Sequence, residues 1–539
     1  MTTAVRVLAV ARPTFDTEAA ERLRAAAIAT LADCTVVTEV RGGSALVMTP
    51  ADVAAAMAEQ PVSMPEVRDV LLCASFCDAT PAVALFTGAE SGFTGAESGF
   101  TGAESPPGSA LPPVILWSFP EPGAPGERLL LNSLCGANLA AHALRQRGRQ
   151  VRHVHGDPAD RRVQAELAAA LSDTSSTAPP VRGTSGPVDL IAGADALGHL
   201  SGQRIGLVGD APPGFTPCEE PPASVTAMFG LSIDHLDLPT LFERIASVPS
   251  DRRDREHARA LAEQPSLAAV PQGEALTVAG TTVALADYLT ERGCDALALR
   301  CWPDFAVDLG ACPCSALSRL ADRGTPTACE RDVLGSLTLL TLAALGAGDA
   351  HIVDTVEFEV DPSGSGGLIR VWHCGSAATA LAAEPQSATQ WLHCNRRLGV
   401  AGNFALRTGP VILVRFDCDP EPVDGAPNHP EHGGAGHGGA GHGGAGHGGA
   451  GSIEVAPRLR LLLAAGESVP ADNRFQGTTA TIRVPDPKGL VDLLITGGFP
   501  HHTVLAWRDV RPGLRGLAQL LGIPVIDLDT SPHPGIDPA

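Results

Sequence analysis

Short aliphatic runs, each followed by a segment with helical spacing of its apolar positions, recur along the first two thirds of the chain. This alternation restricts the fold more than any other feature. Residues 5–11 read as a buried strand and 17–31 as an Ala-rich helix; 70–74 and 114–118 read as further strands, and 131–145 as a helix. Strands that are apolar at every position, separated by helices, are the pattern of a parallel sheet covered on both faces. The rhythm restarts at 204–208, followed by a turn over 209–215, a helix over 222–229 and strands at 231–236 and 297–301. Aromatic residues make up only 4% of the chain, so the cores must be built from Ala, Val and Leu, which suits such layers. After Val353 the texture changes. Residues 367–373, 410–416, 458–464 and 478–484 alternate with Gly, Pro and Asp turns, the signature of an antiparallel, barrel-like domain. Residues 503–507, 514–521 and 523–527 read as a strand, a helix and a strand. The expected fold is α/β: two Rossmann-like doubly wound domains, 1–197 and 198–345, followed by a mostly antiparallel, β-barrel-like C-terminal domain over 346–539.

Two tracts stand apart from this rhythm. Residues 86–105 repeat FTGAESG, and 432–451 repeat HGGAG. Both lack the apolar content that would offset ordering, so 86–108 and about 424–452 are expected as disordered surface insertions. The imidazoles of His432, His437, His442 and His447 suit loose binding of nickel or zinc, but repeat expansion in a tolerant loop is the better account of them.

Several functions are disfavoured. The 60 acidic and 38 basic side chains leave a net charge of −22, which repels phosphate backbones and anionic lipid. No Walker loop is present, and no GxGxxG lies between a strand and a helix. The most apolar helical segment, 333–348, is shorter than the roughly 20 residues that cross a bilayer and reads as a buried helix. Thirteen cysteines, an odd number, and a start without a basic leader point to a reducing, cytoplasmic setting. Cys301, Cys312, Cys314 and Cys329 invite a zinc reading, but they form no paired CxxC knuckles and read as small buried thiols.

Three places carry chemistry. Glu330 and Asp332, in ACERDVLGSLTLLTLAAL, stand before the long apolar helix, where a carboxylate caps the helix or serves a site. Asp354, in HIVDTVEF, lies in an apolar strand, where an ionised carboxylate is costly unless paired or metal-bound. His501 and His502 precede the strand of HHTVLAW, and strand alternation lets only one of them look inward. Two carboxylates and one imidazole make an O,O,N set suited to Mn²⁺ or a similar cation.

Taken in order, RIGLVGDAPPGF, FGLSIDHLDL, RCWPDF, ACERDVLGSLT, HIVDTV, VWHCG, HHTVLAW and LAQLLGIPV resemble L-fucose isomerase and, through it, L-arabinose isomerase. The resemblance runs from Ser201 to the C-terminus and is fainter before it. It implies a homo-oligomeric, in many members hexameric, enzyme of small sugars that needs a divalent cation, Mn²⁺ first, and no organic cofactor. It makes Glu330, Asp354 and His502 the metal ligands, with Glu330 and Asp354 also carrying protons through a cis-enediol. Matching motifs put Trp302, Asp304, Trp372, His373 and Asn395 around the sugar. Trp302 and Trp372 read equally as core aromatics, Asp304 as the partner of a nearby arginine, and Asn395 as part of a solvated turn. L-Fucose and D-arabinose are the expected substrates, with L-arabinose or sulfoquinovose as alternatives, and a silent sugar-binding protein as the rival of another class. LNSLCGAN at 131–138 looks characteristic, and a subunit contact reaching a neighbour's pocket is one use for it.

Overall fold

The computed structural model describes residues 4–33, 35–41, 44–59, 67–87, 111–173, 186–363, 366–419, 458–470 and 475–528. The two repeat tracts lie outside these residues, except that Phe86 and Thr87 close a helix and Phe86 is fully buried.

The first unit is a parallel sheet of β1 (Ala4–Val10), β2 (Val36–Val40), β3 (Val67–Cys73), β4 (Val114–Ser118) and β5 (Val151–His155), in the order β2-β1-β3-β4-β5. Its helices are α1 (Thr17–Ala32), α2 (Pro50–Glu59), α3 (Thr80–Thr87), α4 (Ser133–Arg145) and α5 (Arg161–Ser172). Asp16 and Asp160 start α1 and α5 by accepting from the Ala19 and Arg162 N–H groups, satisfying donors that the first turn leaves open. The second unit follows α6 (Leu190–Leu200). Its strands β6 (Arg204–Val208), β7 (Ser232–Leu236), β8 (Ala296–Leu299) and β9 (Thr327–Cys329) run parallel in the order β7-β6-β8-β9. Between and after them come α7 (Ala223–Met228), α8 (Leu238–Ala246), α9 (Ser250–Glu263), α10 (Gln272–Arg292), α11 (Asp304–Val307), α12 (Cys314–Asp322) and α13 (Val333–Ala344). Each sheet reverses its direction of growth once, between β1 and β3 and between β6 and β8. Such a switch point opens a crevice at the carboxyl ends of the strands, where doubly wound sheets bind ligands.

The third unit is a closed barrel. β10 (Ala350–Val360), β11 (Gly367–His373), β14 (Gly409–Asp419), β15 (Arg458–Val469), β16 (Thr478–Val484) and β17 (His502–Ala506) form an antiparallel ring β16-β11-β10-β17-β14-β15, which the β15–β16 pairing closes. β12 (Thr389–Trp391), β13 (Ala401–Ala405) and β18 (Val525–Asp527) extend it at the sides, and α14 (Pro487–Thr496) and α15 (Arg511–Leu521) complete the chain.

The three units share cores. Leu337 and Leu340 of α13 pack with Ile205 of β6, Val414 of β14, Val504 of β17 and Leu514 of α15 in one apolar cluster. Val491 and Ile495 of α14 pack instead with Leu71, Leu116 and Leu144 of the first unit. α6 docks on α15 so closely that a Cβ on Gly193 would lie 2.3 Å from Leu517 N and one on Gly516 1.9 Å from Asp189 O. The division expected at residue 197 thus falls inside a helix that rests on the C-terminal part of the chain. The helix expected over 333–348 ends at Ala344, where Gly346 and Gly348 turn left-handed at φ 73° and 74°.

Candidate functional site

The whole connection from β9 to α13 is Glu330 and Arg331, bounded by Asp332 as the helix cap. Both connecting residues hold positive φ, 60° and 69°. A non-glycine residue there is strained by about 1–3 kcal/mol, and such strain persists only where neighbours over-determine it. Arg331 does this: its guanidinium donates to Gly209 O at 2.5 Å and Cys218 O at 3.1 Å, and its backbone N–H to Leu299 O. The turn holds the Glu330 carboxylate against both histidines, with Oε2 3.2 Å from His501 Nε2 and 3.5 Å from His502 Nε2.

Asp354 and His502 arrive from the barrel. They are register partners on the antiparallel strands β10 and β17, so their side chains lie next to each other. Asp354 Oδ1 is 3.8 Å from His502 Nε2. The predicted Glu330 and Asp354 are thus both brought to His502, where the approach to α13 meets the start of β17 and the middle of β10.

Asp332 completes the geometry. Its carboxylate accepts Gly335 N–H as the cap of α13, receives both terminal nitrogens of Arg415 at 2.6 and 2.9 Å, and lies 2.9 Å from His502 Nδ1. Arg415 and Asp332 are wholly buried. Burial would raise the Asp332 pKa, but the charge of Arg415 and the contact with His502 hold it far below the carboxylate range. An ionised carboxylate only accepts, so His502 donates from Nδ1 and presents the lone pair of Nε2 to Glu330 and Asp354. Burial and the neighbouring His501 lower the His502 pKa, against the pull of Asp332 and Glu330. Burial raises the Asp354 pKa; Glu330 is held low, against burial, by the hydrogen bond from His501 and the nearby imidazoles.

His502 Nε2 and Asp354 Oδ1 are buried and make no hydrogen bond among the described residues. Buried polar atoms are rarely left so, and two facing each other beside a carboxylate fit a divalent cation. Glu330, His501 and His502 form a group whose donor atoms lie within 4.8 Å of one another.

His501 departs from expectation. It is as buried as His502 and touches Glu330. The alternation argument assumed that both residues lie on the strand, but β17 begins at His502. The other expected sugar contacts divide. His373 lies with its ring centroid 5.4 Å from that of His502, and its Nε2 is buried without a hydrogen bond among the described residues. Trp372 stacks on His373 at 13° and donates Nε1–H to Gln476 O at 2.6 Å. Asp304 is taken by Arg300, at 2.6 and 3.2 Å. Asn395 is half-buried and donates its backbone N–H to His393 Nδ1. Trp302 lies under two guanidinium groups, Arg12 at 4.6 Å and Arg396 at 3.4 Å from a ring centroid.

The stretch 131–138 also reaches the site from within the same chain. Asn132, at φ 49°, opens α4. The Cys135 thiol lies by Asp354 and Glu330; burial first, then their charge, pushes its pKa well up. Asn138 Nδ2 donates to Pro500 O, just before the histidine pair. Three of the cysteines singled out in the sequence, Cys301, Cys314 and Cys329, gather with Cys374. Cys301 Sγ is 3.2 Å from Cys329 Sγ and Cys314 Sγ 3.6 Å from Cys374 Sγ, with His373 and His393 beside Cys374. Cys374 lies too far along the sequence from the rest for spacing to have joined it to them.

No helix among the described residues is long and apolar enough to cross a membrane. No protein-family model matches the chain. Over 421 residues, 77% of this chain and 81% of the other, it is 30% identical to the sulfoquinovose isomerase of Alkalicoccus urumqiensis. It is 28% identical to that of Priestia aryabhattai over 414 residues, 76% and 79% of the two chains. The sulfoquinovose isomerase of Clostridium sp. (strain MSTE9) is 26% identical over 413 residues, again 76% and 79%.

Proposed function

The chain belongs to the family of sugar isomerases that includes these sulfoquinovose isomerases, and from that premise we propose that it converts sulfoquinovose, an aldohexose with a sulfonate on C6, to the corresponding 2-ketose with a divalent cation held by Glu330, Asp354 and His502. As an isomerase it is an intramolecular oxidoreductase: C1 is reduced as C2 is oxidised, and no external electron carrier is needed. One observation carries the cation: His502 Nε2, buried and unbonded among the described residues, lies 3.5 Å from Glu330 Oε2 and 3.8 Å from the likewise unbonded Asp354 Oδ1.

A cation bound there supplies Lewis-acid polarisation of the sugar's carbonyl and acidifies the adjacent C–H. The rest is the work of side chains. Glu330 and Asp354 stand on different elements, the approach to α13 and β10, and in this reading they address the C1–C2 bond from two sides. One removes the proton from C2 and the other returns a proton at C1 through the cis-enediol, each contributing about 10²–10⁴ in rate. His502 exchanges no proton, because Asp332 and Arg415 fix its tautomer. His373 Nε2 is available to a sugar hydroxyl. Mn²⁺ as the cation, a homo-oligomeric state and a cytoplasmic location belong to the same reading.

The test is a substrate screen on chelator-stripped protein, with and without Mn²⁺, against sulfoquinovose, L-fucose, D-arabinose and L-arabinose. The expected result is Mn²⁺-dependent ketose formation from sulfoquinovose, reduced by about 10²–10⁴ in a folded Glu330→Gln variant. Preferred turnover of L-fucose or D-arabinose would replace the substrate, and turnover indifferent to chelation would remove the cation. Sugar binding without turnover would make the chain a silent binding protein.

A further inference from the structure

Many enclosed arginines of this carboxylate-rich chain have an acidic partner: Arg6 pairs with Asp69, Arg300 with Asp304, Arg319 with Glu256, Arg415 with Asp332 and Arg460 with Asp417. Arg68 instead donates to a backbone carbonyl, and Arg407 lies on the Trp507 ring. Arg396 is half-buried, yet among the described residues its guanidinium makes no hydrogen bond or ion pair and lies only on the Trp302 ring, 3.4 Å away. Arg12 lies on the same ring at 4.6 Å, and its single carboxylate contact, Asp78, is 3.5 Å away. Burial first, with the charge of Arg12 among the further causes, lowers the Arg396 pKa, so the two cations sense each other across the indole.

Their place in the fold is equally particular. Arg12 follows β1 and Phe76 follows β3, at the switch point of the first sheet; Phe215 follows β6 and Trp302 follows β8, at that of the second. The two crevices face each other, since the Arg12 guanidinium lies 5.0 Å from the Phe76 ring and 5.5 Å from that of Phe215. From there the isomerase site is one ring away: Phe215 meets His501 edge-on at 6.0 Å between centroids. A second route leads back through Cys301, beside Trp302, to Cys329, beside Glu330. Two guanidinium groups on one indole, with Asp78 at 3.5 Å as the carboxylate contact among the described residues and one ring away from the proposed metal site, suit a small oxyanion.

We propose that Arg12 and Arg396, gathered on Trp302, take the sulfonate on C6 of the sugar while Glu330, Asp354 and His502 address C1 and C2. This rests on the sulfosugar reading above. It makes the arginines specificity residues: they hold the anionic end, which exists only on the sulfonated substrate, and leave the hydrogen transfer untouched.

The experiment separates binding from turnover. Calorimetry on the full chain loaded with Mn²⁺ measures binding of 6-deoxy-6-sulfoglucitol, which has no carbonyl to isomerise, and of glucitol. Kinetics then follow sulfoquinovose and glucose in the wild type, Arg396→Gln, Arg12→Gln and Arg396→Lys. The expected result is that the sulfonated polyol binds the wild type more tightly than glucitol, and that each Gln variant weakens it about tenfold to a hundredfold. KM for sulfoquinovose should rise by the same factor with kcat nearly kept, Arg396→Lys should recover part of the loss, and glucose should be indifferent. Equal losses on both sugars, or unchanged affinity for the sulfonated polyol in both Gln variants, would overturn the proposal while leaving the isomerase reading intact. A wild type that binds the sulfonated polyol through these arginines but turns over no sugar would uphold the anion site and overturn the isomerase reading. A wild type that does not distinguish the two polyols would overturn the anion site.

Discussion

At the scale of single residues, Asp332 has the widest reach, because one carboxylate caps α13, neutralises Arg415 and fixes the tautomer of His502. Asp332→Asn leaves Arg415 buried without its counter-charge and should cost about 3–5 kcal/mol, read from urea unfolding. The same variant should weaken Mn²⁺ binding about 10–100-fold, read by calorimetric titration, since the imidazole loses the partner that orients it. The sequence shows Asp332 as a cap but not this role. Its partner Arg415 lies on a strand of another unit, and nothing local announces the pairing. Ordered motifs singled out Glu330, Asp354 and His502, and the structure brings both carboxylates to His502; the inward His501 was not legible, because the start of β17 had to be known to the residue. Glu121 offers a pH prediction. Its carboxylate accepts from the Leu130 and Leu131 N–H groups at 2.9 and 3.1 Å and from Asn132 N–H, and so shapes the entry to α4. Burial pushes its pKa up to about 7, against those hydrogen bonds, from an ordinary 4.5. A raised folded-state pKa gives stability that is present below 4.5 and lost as pH rises through about 7. The stability difference between wild type and Glu121→Gln, from urea midpoints at pH 5 and pH 8, should therefore favour the wild type more at the lower pH.

At the scale of elements, aliphatic strands were the readable part. Strands at Val114–Ser118, Arg204–Val208, Gly367–His373 and Thr478–Val484 fall where the sequence puts them: the first two are near-continuous apolar runs of parallel sheets, and the last two are short barrel strands bounded by turn residues. The helices α8 to α10 were not read. α9 buries only Glu256 and Ala260 and carries ion pairs such as Arg252–Asp287 and Arg259–Glu263, so it lacks the apolar stripe that marks a helix. The crossing of α6 and α15 was also invisible, because it depends on the absence of side chains at Gly193 and Gly516. Gly516→Ala puts a methyl into the backbone of Asp189 and should cost about 1–3 kcal/mol through separation of the two helices, which a fall in urea midpoint would reveal.

At the scale of the whole molecule, the site exists only where three units meet: α4 of the first sheet behind Asp354, the β9–α13 turn of the second carrying Glu330, and the barrel carrying Asp354 and His502. Buried ionic contacts join them. Asp417 of β14 receives Arg460 at 2.7 Å and lies 3.5 Å from His142 of α4. The histidine-bearing tract lies outside the described residues, but the strands on either side of it are placed. β14 and β15 pair as far as Asp419 opposite Arg458, so residues 420–457 leave and rejoin the barrel at the same place. Removing 424–452 shortens a hairpin connection, whose closure changes by about 0.6 kcal/mol per doubling of length. Melting temperature and kcat/KM of that deletion should match the full chain, and retained Mn²⁺ affinity would show that the tract is not the cation site. In genetic terms, Asp419 and Arg458 mark the borders of a stretch whose repeat copies can be added or dropped with the flanking strand ends still paired, so that tract length is expected to vary between otherwise similar chains.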